Sequence, residues 1–266
     1  MPLMPWQRQV LEVGTELEAE KLAYRQVTTL VPRQSGKSSL TCSLMVGAAL
    51  ARPRTRVVYA AQTRLDARKK LVDDWMPLIG ASRLAPLVTP RRGFGTEALL
   101  FANGSRIELV SGTRVSGHGA TLDLAVVDEA WAQVDDRLEQ ALRPAMITRP
   151  DPQFWIISTA GDDTSTWLRQ KVDAGRLAVQ LGAAEAAAYF EWSAAEGSDP
   201  SDPATWHGCM PALGHTVPEA AIRADLELMR PPEFQRAYLN WWPGDTAGGW
   251  EVFSQQAWER AGGDFR

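Results

Sequence analysis

The chain has 266 residues, 45% of them hydrophobic and 23% charged, with 28 Lys and Arg against 32 Asp and Glu for a formal net charge of −4. That balance excludes a disordered or fibrous chain and leaves room for one large domain, or one domain with a small appendage. Two cysteines make no disulfide framework, the N-terminus has no signal-peptide core, and no apolar run approaches the roughly 18 residues of a membrane span, so a soluble intracellular protein is expected.

The small net charge hides an asymmetry. Residues 1–133 carry 17 basic and 12 acidic side chains, net +5, whereas residues 134–266 carry 11 and 20, net −9. The total argues against a strongly basic nucleic-acid clamp, but the N-terminal half is compatible with a polyanionic partner.

In chain order, residues 27–31 form a short β-branched run ending at Pro32, which reads as a buried strand. A helix is expected over 36–51, stopped by Pro53, then a strand over 56–61. A helix over 63–77 carries the basic cluster Arg64, Arg68, Lys69 and Lys70. Asn103-Gly104 lies between two apolar runs, 98–101 and 106–110, and signals a hairpin. Residues 124–127 and 154–158 read as buried strands separated by a helix over 135–145. This alternation predicts an α/β sheet with parallel strands at its centre and helices covering it. After about residue 183 the texture changes to one strand candidate over 188–192, a Ser-, Asp- and Pro-rich loop, and helices over 218–230 and 232–241. Tryptophans are frequent in this region, where they serve either a core or a surface that packs against another subunit.

The most informative stretch is VTTLVPRQSGKSS, residues 27–39. A strand, a short loop containing Gly36-Lys37-Ser38, and a helix are what phosphate binding requires. Backbone N–H groups at a helix N-terminus face the anion, glycine permits close approach, Lys37 reaches the β- and γ-phosphates, and the Ser38 hydroxyl suits Mg²⁺. Arg33 adds a cation inside the loop. The common pattern has glycine where this chain has Val31, and a loop that merely caps a helix is the competing reading. Farther on, residues 124–129 read LAVVDE, four apolar residues followed by two carboxylates. At the C-terminal end of a buried strand, Asp128 would hold the Mg²⁺ shell and Glu129 would act as general base on a water. The bland alternative is an acidic strand-to-helix turn. The interval of about ninety residues between Ser38 and Asp128 leaves room for intervening strands. Ser158, Thr159, Ala160 and Gly161 end a third strand, where small hydroxyls would sense a γ-phosphate or simply form a polar turn.

In this order the pieces resemble the large subunits of tailed-bacteriophage terminases, motors that package DNA into procapsids. Pro5-Trp6-Gln7 looks like the family's adenine-recognition motif, with Gln7 as base contact. Arg33 through Ser38 looks like its deviant phosphate loop, in which the first glycine is often missing. Residues 124–129 match its Walker B motif and residues 158–161 its coupling motif. Trp206, Pro211 through Gly214, Glu233-Phe234 and Leu239-Asn240-Trp241 look like the pattern that closes its ATPase domain, although residues 207–210 depart from it.

The resemblance implies a P-loop NTPase of the additional-strand, catalytic-glutamate type, with a mostly parallel central sheet flanked by helices and a small C-terminal subdomain. The divisions expected are an ATPase core at 1–183, a lid or linker subdomain at 184–243, and at 244–266 the start of a linker toward a nuclease domain lacking here. It implies ATP and Mg²⁺ as ligands, with Gln7, Arg33, Gln34, Ser35, Gly36, Lys37, Ser38, Ser39 and Thr159 around the nucleotide, Ser38 and Asp128 on the metal, and Glu129, Arg33 and Arg114 in catalysis. Arg114 is the candidate to act on a neighbouring copy, though relatives often carry arginine where His118 stands; a solvated loop residue is the competing reading. Double-stranded DNA, a homo-oligomeric ring, the portal protein and the small terminase subunit are the implied partners. No membrane is involved, and the implied location is the host cytoplasm, docked on the procapsid portal rather than carried in the virion. A helicase-like ATPase and a nucleotide-holding oligomerisation module without turnover are the alternatives.

Three further groups invite a functional reading. His207, Cys209 and His215 fit no standard zinc spacing. Asp162-Asp163 suit a helix cap before residues 164–176 better than a metal site. Arg64, Arg68, Lys69 and Lys70, with Arg91 and Arg92, suit either DNA phosphates or a solvated face.

Overall fold

A computed structural model describes residues 2–110, 121–183 and 186–242. Arg114, His118 and the expected linker at 244–266 lie outside the described residues. The chain opens with helix α1 (Pro5–Gly14), which the sequence reading overlooks. Proline occupies its first turn, where no backbone donor is lost, and Trp6 and Val10 bury one face. A small hairpin, β1 (Leu17–Glu18) and β2 (Lys21–Leu22), leads into β3 (Gln26–Leu30). Helix α2 (Lys37–Ala51) follows, then β4 (Arg56–Ala60) and α3 (Arg64–Lys69).

The helix expected to end at Pro77 continues instead. A π-helical turn, Lys70–Trp75, carries α3 into α4 (Met76–Gly80). The wider turn changes the hydrogen-bond register just before Pro77, which has no N–H to donate, so the helix passes through it. Strands β5 (Val88–Arg91), β6 (Ala98–Phe101) and β7 (Arg106–Leu109) come next, with Gly104 at φ 83° in the expected turn between β6 and β7. Then follow β8 (Leu124–Asp128), α5 (Arg137–Leu142), β9 (Gln153–Ser158), α6 (Thr166–Leu181) and β10 (Ala187–Glu191). The described chain ends in α7 (Pro203–Cys209), α8 (Glu219–Leu228), and α9 (Pro231–Phe234) running into a second π-helical turn, Gln235–Leu239.

Eight strands form one sheet in the order β10-β3-β9-β8-β4-β7-β6-β5. The run from β10 to β7 is parallel, and β6 and β5 add an antiparallel edge. Strand β9 lies between β3 and β8, so the phosphate-loop strand and the acidic strand are separated by one added strand, as expected. Side-chain alternation builds two cores. Val126, Trp155 and Ile157 point to the face covered by α1 and α2, while Val127, Phe154 and Ile156 point to the face covered by α6. Trp206, Cys209, Ile222, Phe234 and Leu239 form a separate small core in the helical region beyond β10.

Candidate functional site

The site sits at the C-terminal ends of β3, β8 and β9, where open parallel sheets take their ligands. The loop after β3 is shaped by two left-handed residues, Gln34 at φ 59° and Gly36 at φ 90°. At φ 90° residue 36 favours glycine on backbone grounds, and a Cβ there would also press on Met4 Cε at 2.6 Å and Gln7 Nε2 at 2.7 Å. Gly36 caps α2, and the first turn of that helix, beginning at Lys37, turns its free amides toward the loop. Helix α1 braces the loop from behind. Trp6 Nε1 donates to the Ser35 carbonyl at 3.1 Å, and Gln7 Nε2 donates to the Gly36 carbonyl at 2.8 Å. Gln7 Oε1 accepts from the Met4 N–H at 2.7 Å, one half of a capping box. The candidate base contact is therefore also a fixed strut of the loop.

A cleft of about 700 Å³ opens in front of the loop and is lined by Arg33, Lys37, Ser38, Tyr59, Asp128 and Glu129, among others. Lys37 is buried, with its Nζ 3.8 Å from Glu129 Oε1. Burial pulls its pKa below the ordinary lysine value, and the Glu129 and Asp128 carboxylates oppose that pull. Asp128 is 2% exposed. Burial, with Glu129 beside it, pushes its carboxyl up to about 6. Tyr59 OH donates to Asp128 Oδ2 at 2.9 Å, and the Glu129 N–H donates to Oδ1 at 2.9 Å. Glu129 stands in the left-handed region at φ 51°, a strained setting for a non-glycine residue. Its Oε2 accepts from Trp131 Nε1 at 2.7 Å.

The donor set in this cleft is hard oxygen, the buried Asp128 carboxyl and the Ser38 hydroxyl. That chemistry fits Mg²⁺, which is usually held by one or two protein oxygens plus phosphate and water rather than by an all-protein cage. Among the described residues no cluster of three or more His, Cys, Asp and Glu could hold a metal. The candidates in the helical region are apart in chemistry as well: Cys209 Sγ is buried against the Trp206 and Tyr238 carbonyls, and His207 is exposed beside Glu219.

A second cavity of about 670 Å³ adjoins the first and is lined by Met4, Gln7, Gly36, Ser38, Ser39 and Trp75, among others. Ser35 is buried in the loop, and its hydroxyl has no hydrogen-bond partner among the described residues. Thr159 is buried at the end of β9, its hydroxyl donating to the Ala160 carbonyl at 3.3 Å. Asp162 accepts from the Thr164 N–H and hydroxyl in the turn before α6, and Ser165, rather than the expected Asp162 or Asp163, holds the N-cap position without a side-chain capping bond.

The basic cluster divides. Arg64 and Arg68 both pair with the buried Glu97, at 2.6 and 3.0 Å, which holds α3 to the β5–β6 connection. Lys69 and Lys70 line the cleft itself, with Lys70 3.2 Å from Asp74. Two contributors escaped the sequence reading, Tyr59 and Trp131. Tyr59 sits in a buried strand with nothing local to mark it, because its partner Asp128 is on the neighbouring strand β8.

The N-terminal model of the T4likevirus-type terminase large subunit matches residues 29–174, more than half of the chain. No curated protein sequence matches. Among solved structures, the HK97 bacteriophage large terminase superposes with a TM-score of 0.76 at 21% identity, covering 91% of this chain and 51% of that one. The large terminase of a thermophilic bacteriophage, in complex with ADP, gives 0.62 at 13% identity, covering 91% and 54%. The ATPase domain of the Thermus phage P74-26 large terminase gives 0.54 at 17% identity, covering 90% and 99%. The chain thus spans about half the length of the large terminases it matches. At these identities the likeness establishes the fold, a mixed α/β architecture with a mostly parallel sheet.

Proposed function

The chain belongs to the terminase large subunit family, matching its N-terminal domain, and we propose that it is the ATP-hydrolysing module of a motor that drives double-stranded DNA into a procapsid. The observation that carries this reading is the meeting of Arg33, Lys37, Ser38, Asp128 and Glu129 on one cleft at the ends of β3 and β8. Lys37 and the amides at the start of α2 hold the β- and γ-phosphates. Arg33 neutralises charge that builds on the γ-phosphate. Glu129 takes the proton of the attacking water. Ser38 and Asp128 would hold Mg²⁺, which when bound spreads the negative charge of the phosphates.

Gln7 and Ser39, which both line the adjoining cavity, would face the base there. Gln34 and Ser35 complete the loop. Thr159 would report loss of the γ-phosphate toward residues 184–243, the proposed lid. Arg114 of a neighbouring copy in a ring would complete the site. DNA, the portal and the small subunit are the partners this reading calls for, in the host cytoplasm. No described helix is long and apolar enough to cross a membrane.

Steady-state ATPase assays on Glu129→Gln decide the central step. A turnover loss of roughly 10²–10⁴-fold with ATP still bound is expected for removal of a general base. Undiminished turnover would overturn the assignment.

A further inference from the structure

Trp131 joins four parts of the molecule. It lies in the tight turn Ala130–Ala132, directly after Glu129. Its indole N–H donates to Glu129 Oε2 at 2.7 Å. Its backbone N–H donates to Ser158 Oγ, at the end of β9, at 3.0 Å. Its carbonyl accepts from the hydroxyl of Ser165, at the N-cap position of α6, at 2.6 Å. Two guanidinium groups lie within cation–π range of its ring: Arg33 of the phosphate loop at 5.9 Å and Arg236 of the Gln235–Leu239 turn at 5.4 Å. Arg236 is in turn paired with Asp162 at 3.3 Å.

A tryptophan that only filled a core would bury its ring and satisfy its N–H on the nearest carbonyl. This one is half-buried, lines the cleft, and gives its N–H to the proposed catalytic carboxylate. Glu129 needs such a partner. Its backbone is in a left-handed conformation that aims the side chain, and its two oxygens are divided between Lys37 and the indole. The oxygen left toward Lys37 is the one that can meet a water. The indole bond therefore sets which oxygen serves as base and where it points.

Resting on the reading of Glu129 as that base, we propose that Trp131 is a positioning residue. Its indole N–H orients the Glu129 carboxylate, and its ring, within cation–π range of both Arg33 and Arg236, ties that orientation to the placement of the Gln235–Leu239 turn. A shift of the C-terminal helices thus reaches the base through the indole.

Two measurements test this. Trp131→Phe keeps an aromatic ring, though a smaller one, and deletes the N–H. Its kcat should fall roughly 10- to 100-fold, the effect of a base displaced by about an ångström, while the Kd of a non-hydrolysable ATP analogue stays within about twofold. An unchanged kcat, or a loss expressed only in affinity, would overturn the proposal. Independently of turnover, the ¹H–¹⁵N indole resonance that disappears in Trp131→Phe should shift in Glu129→Gln and also in Arg236→Ala. No shift in either variant would overturn it. Absence of ATP hydrolysis by the wild-type chain would defeat the functional reading instead, and the indole resonance would then decide the Trp131 link alone.

Discussion

Asn240 should be among the most costly polar residues to replace. It is fully buried and stands in the left-handed region at φ 58°. Its Oδ1 accepts from the Ala160 N–H at 2.6 Å, at the end of β9. Its Nδ2 donates to the Trp192 carbonyl and to Ser193 Oγ, each at 3.1 Å. Asn240→Ala strands the Ala160 N–H and the Trp192 carbonyl, at about 1–3 kcal/mol for each buried group. Ser193 loses less, because its hydroxyl also donates to Glu191 at 2.7 Å. Forcing alanine into the left-handed region adds about 1 kcal/mol. The total is about 3–7 kcal/mol, a large share of the roughly 5–15 kcal/mol that holds a domain together. Asn240→Gly removes the same hydrogen bonds without the backbone cost, so it should be about 1 kcal/mol milder than alanine. Urea unfolding followed by circular dichroism and tryptophan fluorescence measures both. Alanine within about 1 kcal/mol of wild type would refute the reasoning. So would glycine proving no milder than alanine.

Two further outcomes are expected. Tyr59→Phe removes the hydroxyl that orients Asp128, so the Mg²⁺ concentration required for nucleotide-dependent stabilisation should rise by roughly tenfold, in line with the loss of groups that support metal ligands. A thermal-shift titration with Mg²⁺ and ADP reads this, and an unchanged midpoint would count against it. Glu139 accepts from Lys171, Trp167 and Arg143 and clamps α5 to α6. These partners, acting against its burial, hold its carboxyl below the usual glutamate range. Its stabilisation is therefore complete above the unfolded glutamate pKa and is lost as the pH falls through the lower folded value. Glu139→Gln should narrow the gap to wild type as the pH is lowered from 7 into that acid range, and a gap that stays constant in urea melts would contradict this.

What could be read from the sequence was local. The strand β3, the loop at Gly36-Lys37-Ser38 and the Asp128-Glu129 pair each announce themselves within a dozen residues, by β-branched runs, a glycine and paired charges. The hairpin at Asn103-Gly104 is equally self-contained. Helix α1 was missed: Pro5 marks a helix start, but the apolar content behind it, Trp6 and Val10, is thin. Strand β5 holds a proline and an arginine and owes its existence to pairing with β6. The link between Tyr59 and Asp128 depends on β4 and β8 being neighbours, and strand order is a property of the whole sheet. How the basic cluster divides is hidden for the same reason: Glu97, far from Arg64 in sequence, takes two of its charges.

The bonds around the π-helical turn give the site its mechanical logic. The Ala237 carbonyl accepts from the Arg33 N–H at 2.9 Å, Arg236 pairs with Asp162 at 3.3 Å, and Asn240 holds the Ala160 N–H. The segment 235–240 therefore grips the phosphate loop, the end of β9 and the turn before α6. A wide π turn suits this, because its hydrogen bonds span five residues and its register can relax locally. A loop that rearranges around a nucleotide must either break the Arg33–Ala237 bond or carry the turn with it. Breaking it separates a backbone donor and acceptor that hold the loop to the turn. Movement of the turn with the loop would load β9 and the turn before α6, through Asn240 and Arg236.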